Sequence, residues 1–136
     1  MLIRQENLRQ SEFLILIEDI VSLLETAKIK PMVNQILLHI SNTPMELVEY
    51  CQKNNIVVEA YSPIAHGEIL NQPEITTIAK KYGVTVPQLC IRYTLQLGAI
   101  SLPKTGNPEH MKSNAQLVKR KLNKWTHIHF YGILFP

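Results

Sequence analysis

The period of the apolar positions changes several times along this chain, and each change marks a boundary between elements. Leu14, Ile17, Ile20, Val21 and Leu24 recur at helical spacing, with Glu18, Asp19 and Glu25 mostly off that stripe. This predicts an amphipathic helix over 14–28, ended by Pro31. Val33 to Ile40 is a short apolar run with Asn34 and Gln35 embedded in it and Ser41-Asn42 closing it, the pattern of a buried strand. Thr43-Pro44-Met45-Glu46 has the residue types of a capping box and opens a helix that runs to about Lys53. Beyond Asn54-Asn55, Ile56 to Tyr61 predicts a second strand. Pro73 opens a helix with Ile75, Ile78, Ala79 and Tyr82 on one face, Lys80 and Lys81 at its carboxyl end and Gly83 as its stop. Thr85-Val86-Pro87-Gln88 repeats the capping-box logic for a helix that ends at Gly98. Ala99 to Leu102 then predicts a third strand, and Asn107-Pro108-Glu109 caps a last helix.

Helices alternating with strands in this way imply parallel strands joined by crossover helices, an α/β class. At 136 residues the chain has the length of one domain, 1–136, and its near-average apolar and charged fractions describe a globular protein. The net charge of +3 changes this picture only locally. No acidic residue follows Glu109, whereas Lys112, Lys119, Arg120, Lys121 and Lys124 all do. Cys51 and Cys90 fall in helical segments with no CxxC spacing, no apolar run reaches the roughly 20 residues that cross a bilayer, and the first residues lack the order of a signal peptide. The expectation is a reduced, cytoplasmic setting with no membrane partner.

In parallel α/β folds ligands bind beyond the carboxyl ends of the strands. Three such ends carry candidate chemistry: Val33-Asn34-Gln35-Ile36, Glu59-Ala60-Tyr61-Ser62-Pro63, and Lys104-Thr105 followed by Gly106-Asn107-Pro108-Glu109-His110-Met111-Lys112-Ser113-Asn114. A lysine and a hydroxyl at a strand end, with a helix start a few residues later, bring cation, hydroxyl and backbone amides to one phosphate. Together, in this order, the three segments resemble the second half of an aldo-keto reductase over about residues 17–116. The resemblance implies a partial (β/α)8 TIM barrel and NADP (NADPH) as cofactor. A complete barrel typically needs about 250 residues, so this chain would supply roughly half, with the first half of the barrel absent.

The resemblance also implies roles. Gln35 would hold the nicotinamide carboxamide as a buried amide that donates and accepts; taken alone, it reads equally as a buried glutamine bonded to a neighbouring loop. Tyr61 would stack on the nicotinamide, and Ser62 would face the pyrophosphate. Lys104 and Thr105 match the family's phosphate-binding lysine and hydroxyl, and Asn114 its adenine contact. His110 stands where an arginine usually meets the 2′-phosphate, and Ser113 where glutamate or glutamine is usual. An imidazole offers one donor where guanidinium offers a charged fork, which leaves the choice between NADP and NAD open.

The family's catalytic aspartate, tyrosine, lysine and histidine come from the first four strands, and none can be placed on this sequence. No catalytic residue and no metal site is assigned. His127 and His129 would share a strand face but lack a third ligand. Three readings follow: a truncated NADP-dependent carbonyl reductase without turnover, a reductase completed by another chain that brings a small carbonyl substrate into play, or a non-catalytic module using the basic segment. A short basic run is usually a solvated face, so nucleic acid is not expected as a partner. A three-stranded parallel sheet would expose one apolar face and two edges, and is expected to self-associate or to meet a partner. Trp125, Ile128, Phe130, Tyr131, Ile133, Leu134 and Phe135 make the divergent tail, 117–136, strongly apolar, and that tail is a candidate cover for the open face.

Overall fold

The computed structural model describes residues 17–116. Helix α1 (Ile17–Thr26) leads into β1 (Val33–Leu37), α2 (Met45–Lys53), β2 (Val57–Tyr61), a kinked 3₁₀ segment (Ala65–Asn71), α3 (Pro73–Tyr82), α4 (Val86–Gln96), β3 (Ile100–Leu102) and α5 (Pro108–Ala115). The three strands form one parallel sheet in the order β1-β2-β3, with Val33 opposite Val57, Gln35 opposite Glu59, and Tyr61 between Leu37 and Leu102. Strands of this kind need crossovers, and α2 and the α3–α4 pair supply them.

One face of the sheet is core. Ile36, Val58 and Ala60 are buried there with Leu47, Val48 and Cys51 of α2 and Leu89, Cys90 and Tyr93 of α4. The opposite face is open: Val33, Val57 and Ile100 remain 49%, 44% and 48% exposed, values normally found for surface polar residues. Because side chains alternate along a strand, each apolar strand here is divided between a packed and an uncovered side.

Helix ends follow their sequence signals with one exception. The Thr85 hydroxyl accepts from the Gln88 amide while the Gln88 side chain accepts from the Thr85 amide, a complete capping box. Gly83 ends α3 at φ 61°, a left-handed cap that a β-carbon would strain. Asn107 caps α5 by accepting from the Glu109 amide. The box expected at Thr43 does not form. Its hydroxyl instead donates to the His39 carbonyl at 3.0 Å and pairs with the Tyr93 hydroxyl at 2.7 Å, so a tertiary partner takes the atom that would have capped α2.

Candidate nucleotide site

The carboxyl ends of β2 and β3 open into a cleft of about 500 Å³. Ser62, Pro63, Ile64, His66, Gly67 and Leu70 line it from the loop and 3₁₀ segment after β2; Leu102, Lys104 and Thr105 from β3 and its loop; His110, Ser113 and Asn114 from α5; Thr85 and Pro87 from the start of α4. Five residues expected to touch a nucleotide, Ser62, Lys104, Thr105, His110 and Asn114, therefore share one concavity although they come from three separate segments. Gln35 and Tyr61 lie apart from it on the sheet, two residues from each other in register terms, since Tyr61 pairs with Leu37.

Local structure explains how the walls are held. After β2 the chain turns through Ser62 (φ 49°), Ala65 (φ 46°), His66 (φ 52°) and Gly67 (φ 96°), a cluster of left-handed residues. Non-glycine residues there typically cost about 1 to 3 kcal/mol each and persist where the surroundings over-determine them. Ala65 and Ile69 are buried and anchor the segment, which leaves His66 exposed beside Ser62, its Nε2 3.0 Å from the serine Oγ. This kinked 3₁₀ segment has no counterpart among the sequence expectations. Its Gly67 was the available signal, but left-handed conformations at Ala65 and His66 carry none.

On the other wall the Thr105 Oγ1 accepts from the Asn107 amide at 3.1 Å, and Asn107 in turn accepts from the Glu109 amide. Those two amides are thus engaged within the chain. The Thr105 hydroxyl keeps its own hydrogen as a donor, and it lines the cleft together with Lys104. Gln88 donates to both the carbonyl and the hydroxyl of Ser113 at 3.0 Å, fastening α5 to the start of α4.

Gln35 departs from the expected buried amide. It is exposed on the open face, donating to the Glu59 carboxylate at 3.0 Å, while its neighbour Asn34 is the buried residue, donating to Cys51 Sγ at 3.5 Å. The one-residue alternation of the strand puts Asn34 under α2 and Gln35 on the uncovered side. Both thiols are buried, and burial pushes Cys90 up to about 12, which makes it a packing group rather than a nucleophile. His127, His129, Trp125 and the basic run Lys119-Arg120-Lys121 lie outside the described residues. Among the described residues no helix is long and apolar enough to cross a membrane.

Residues 11–127 match the aldo/keto reductase family model, a span that extends beyond 17–116 at both ends. The chain is 38% identical over 102 residues to the uncharacterized oxidoreductase YtbE of Bacillus subtilis, covering 75% of this chain and 36% of that protein. It is 37% identical over the same length to the glyoxal reductase of Bacillus subtilis, covering 75% of this chain and 37% of the relative. Among solved structures, an aldo-keto reductase from a Medee basin deep-sea metagenome superimposes with a TM-score of 0.79 at 32% identity, over 85% of this chain and 43% of that one. A Bombyx mori aldo-keto reductase in complex with NADP gives 0.76 at 29% identity, over 85% and 41%. The chain spans about a third of the length of the curated relatives it matches.

Proposed function

The chain belongs to the aldo/keto reductase family and holds part of its parallel barrel, and from this we propose that it forms the NADP(H)-binding half of a carbonyl reductase. The observation that carries the proposal is the convergence of Ser62, Lys104, Thr105, His110 and Asn114 on one cleft. The donor set suits a phosphorylated dinucleotide: a cation, hydroxyls and a carboxamide, with apolar Leu70, Leu102 and Pro87 beside them for a flat base. Lys104 and Thr105 would hold phosphate, Asn114 the adenine, and Tyr61 and Gln35 the nicotinamide on the sheet.

Hydride is the chemistry that such a cofactor supplies when bound. What this chain adds is position: the two walls fix the phosphate end, and Tyr61 offers a flat ring at the end of β2, where offset stacking contributes about 0.5 to 1.5 kcal/mol beyond burial. Gln35, bonded to Glu59 through one N–H, keeps its carboxamide oxygen and second N–H for the ligand. Reduction of a carbonyl also needs a proton donor, and the Tyr93 hydroxyl is buried against Thr43 in the core. We assign no catalytic residue. In this reading the proton donor and its partners come from the barrel strands that the 136 residues do not include, whether in the same polypeptide or in another.

Calorimetric titration with 2′,5′-ADP tests the assignment. Binding is expected, and Lys104→Ala should weaken it about 10-fold or more, the loss of one charge-assisted hydrogen bond. Binding that this substitution leaves unchanged would place the phosphate site elsewhere.

A further inference from the structure

The turn after β2 pairs a nucleophile with a base. Ser62 directly follows the last residue of the central strand, and its Oγ lies 3.0 Å from Nε2 of His66. That separation falls within the roughly 2.6 to 3.2 Å over which a general base takes a proton from a nucleophile. In the tautomer that carries its hydrogen on Nδ1, the ring accepts from the serine hydroxyl through Nε2. Both side chains line the cleft of about 500 Å³.

The backbone presents this pair. Ser62, at φ 49°, turns the chain sharply from a parallel strand into the 3₁₀ segment that begins at Ala65. A strained strand-to-helix turn lifts a serine hydroxyl clear of the end of a sheet, which is how α/β-hydrolases expose their nucleophile. The Ala65 amide closes the turn by donating to the Ser62 carbonyl at 2.8 Å, and His66, itself left-handed at φ 52°, carries its ring back to the serine. One component differs from those enzymes. The residue after Ser62 is Pro63, which has no backbone N–H to offer an oxyanion. Lys104 and Thr105, on the other wall of the same cleft, have the cation and the hydroxyl for that task.

We propose that Ser62 and His66 form a nucleophile–base dyad that hydrolyses small carboxylic esters, a chemistry separate from carbonyl reduction and needing no cofactor. Ser62 Oγ adds to the ester carbonyl carbon while its proton passes to His66 Nε2, and Lys104 meets the oxyanion. Collapse breaks the C–O bond to the leaving alcohol, which takes the proton from His66 and leaves the acyl group on Ser62. Water, giving a proton to the same nitrogen, then adds to the acyl carbon; the carboxylic acid departs and the proton returns to Ser62 Oγ. Apolar Ile64, Leu70, Pro87 and Leu102 suit an uncharged ester with a short acyl chain and a flat leaving group. A dinucleotide bound as in the reading above would cover Ser62, so hydrolysis belongs to the empty cleft.

The full chain treated with a fluorophosphonate, followed by peptide mass spectrometry, tests the nucleophile; p-nitrophenyl acetate tests turnover. A single adduct at Ser62 is expected, with a burst of p-nitrophenol as the acyl group accumulates. Ser62→Gly removes the hydroxyl and sits at ease at φ 49°, and His66→Asn removes the base while tolerating left-handed backbone. Each should abolish the adduct and lower p-nitrophenol release about 100-fold or more, the lower end of what general-base catalysis contributes, with the melting curve retained. An unmodified Ser62 in the unaltered chain, adducts on lysines instead, or release that Ser62→Gly leaves unchanged overturns the proposal. No arm contains a nucleotide, so its failure leaves the nucleotide reading standing, and that reading falls only by the 2′,5′-ADP titration.

Discussion

One position along β1 separates a core residue from an open one. Asn34 and Gln35 are both polar residues in an apolar run, and nothing local in the sequence says which of them faces α2. The sheet decides it, since a shift of one residue exchanges the faces. That Lys104 and Thr105 sit together at a strand end before a helix start was legible from their spacing, whereas Asn114 came only from the family resemblance; all three line the cleft. The partner of Thr43 was not legible, because Tyr93 lies fifty residues away. His39 offers a test at this scale. Its Nδ1 accepts from the Ser41 amide at 3.2 Å, and its pKa is lowered from 6.5, chiefly by burial, with Glu68 opposing and His66 adding to the shift. A base with a depressed folded pKa binds fewer protons folded than unfolded, so its contribution is complete above about pH 6.5 and is lost as the pH falls through the folded value. The melting temperature should fall on acidification from about pH 7 to about pH 5, and less steeply for His39→Gln. Parallel decline of both proteins would assign the acid sensitivity to other groups.

At the level of elements, helix boundaries were read well where the signal is chemical and local, the unformed box at Thr43 excepted. Pro73, Gly83, the Thr85–Gln88 box and Asn107 all act where they stand. Strand lengths were read less well: β1 stops at Leu37, although Leu38 and Ile40 continue the apolar run and are fully buried. Hydropathy reports burial, and a buried loop satisfies it as well as a strand; here the His39–Asn42 bridge turns the chain while its side chains stay inside. Gln88 joins two elements, because its carbonyl completes the α4 box and its amide holds Ser113 of α5. Gln88→Ala should cost about 1 to 2 kcal/mol by urea denaturation, the range for loss of a helix cap with its linked bond. It should also weaken 2′,5′-ADP binding, as α5 loses its tether. A destabilised variant with unaltered binding would show that α5 keeps its place without Gln88.

For the whole molecule, the fold class and parallel order were legible in the helix–strand alternation, and the open face followed from counting strands. What could not be read was the cleft, which depends on left-handed turns after β2 that only tertiary packing sustains. The uncovered Val57 and Ile100 should drive self-association of the isolated chain, since each such side chain gains about 1.5 to 3 kcal/mol on full burial. Light scattering should show a smaller mass for the Val57→Lys, Ile100→Lys double variant, and an unchanged mass would move the contact to the strand edges. With NADPH and simple aldehydes the chain alone should show no steady turnover, because a general acid is worth about 10² to 10⁴-fold; NADPH oxidation that survives repurification would refute this. The strand order β1-β2-β3 has one more consequence. β2 and β3 each pair with the strand synthesised just before them, so the sheet can be laid down in the order in which a ribosome releases it. Among the described strands β1 and β2 each wait only for the next one, and a growing chain could fill each newly offered edge as it emerges, one strand at a time.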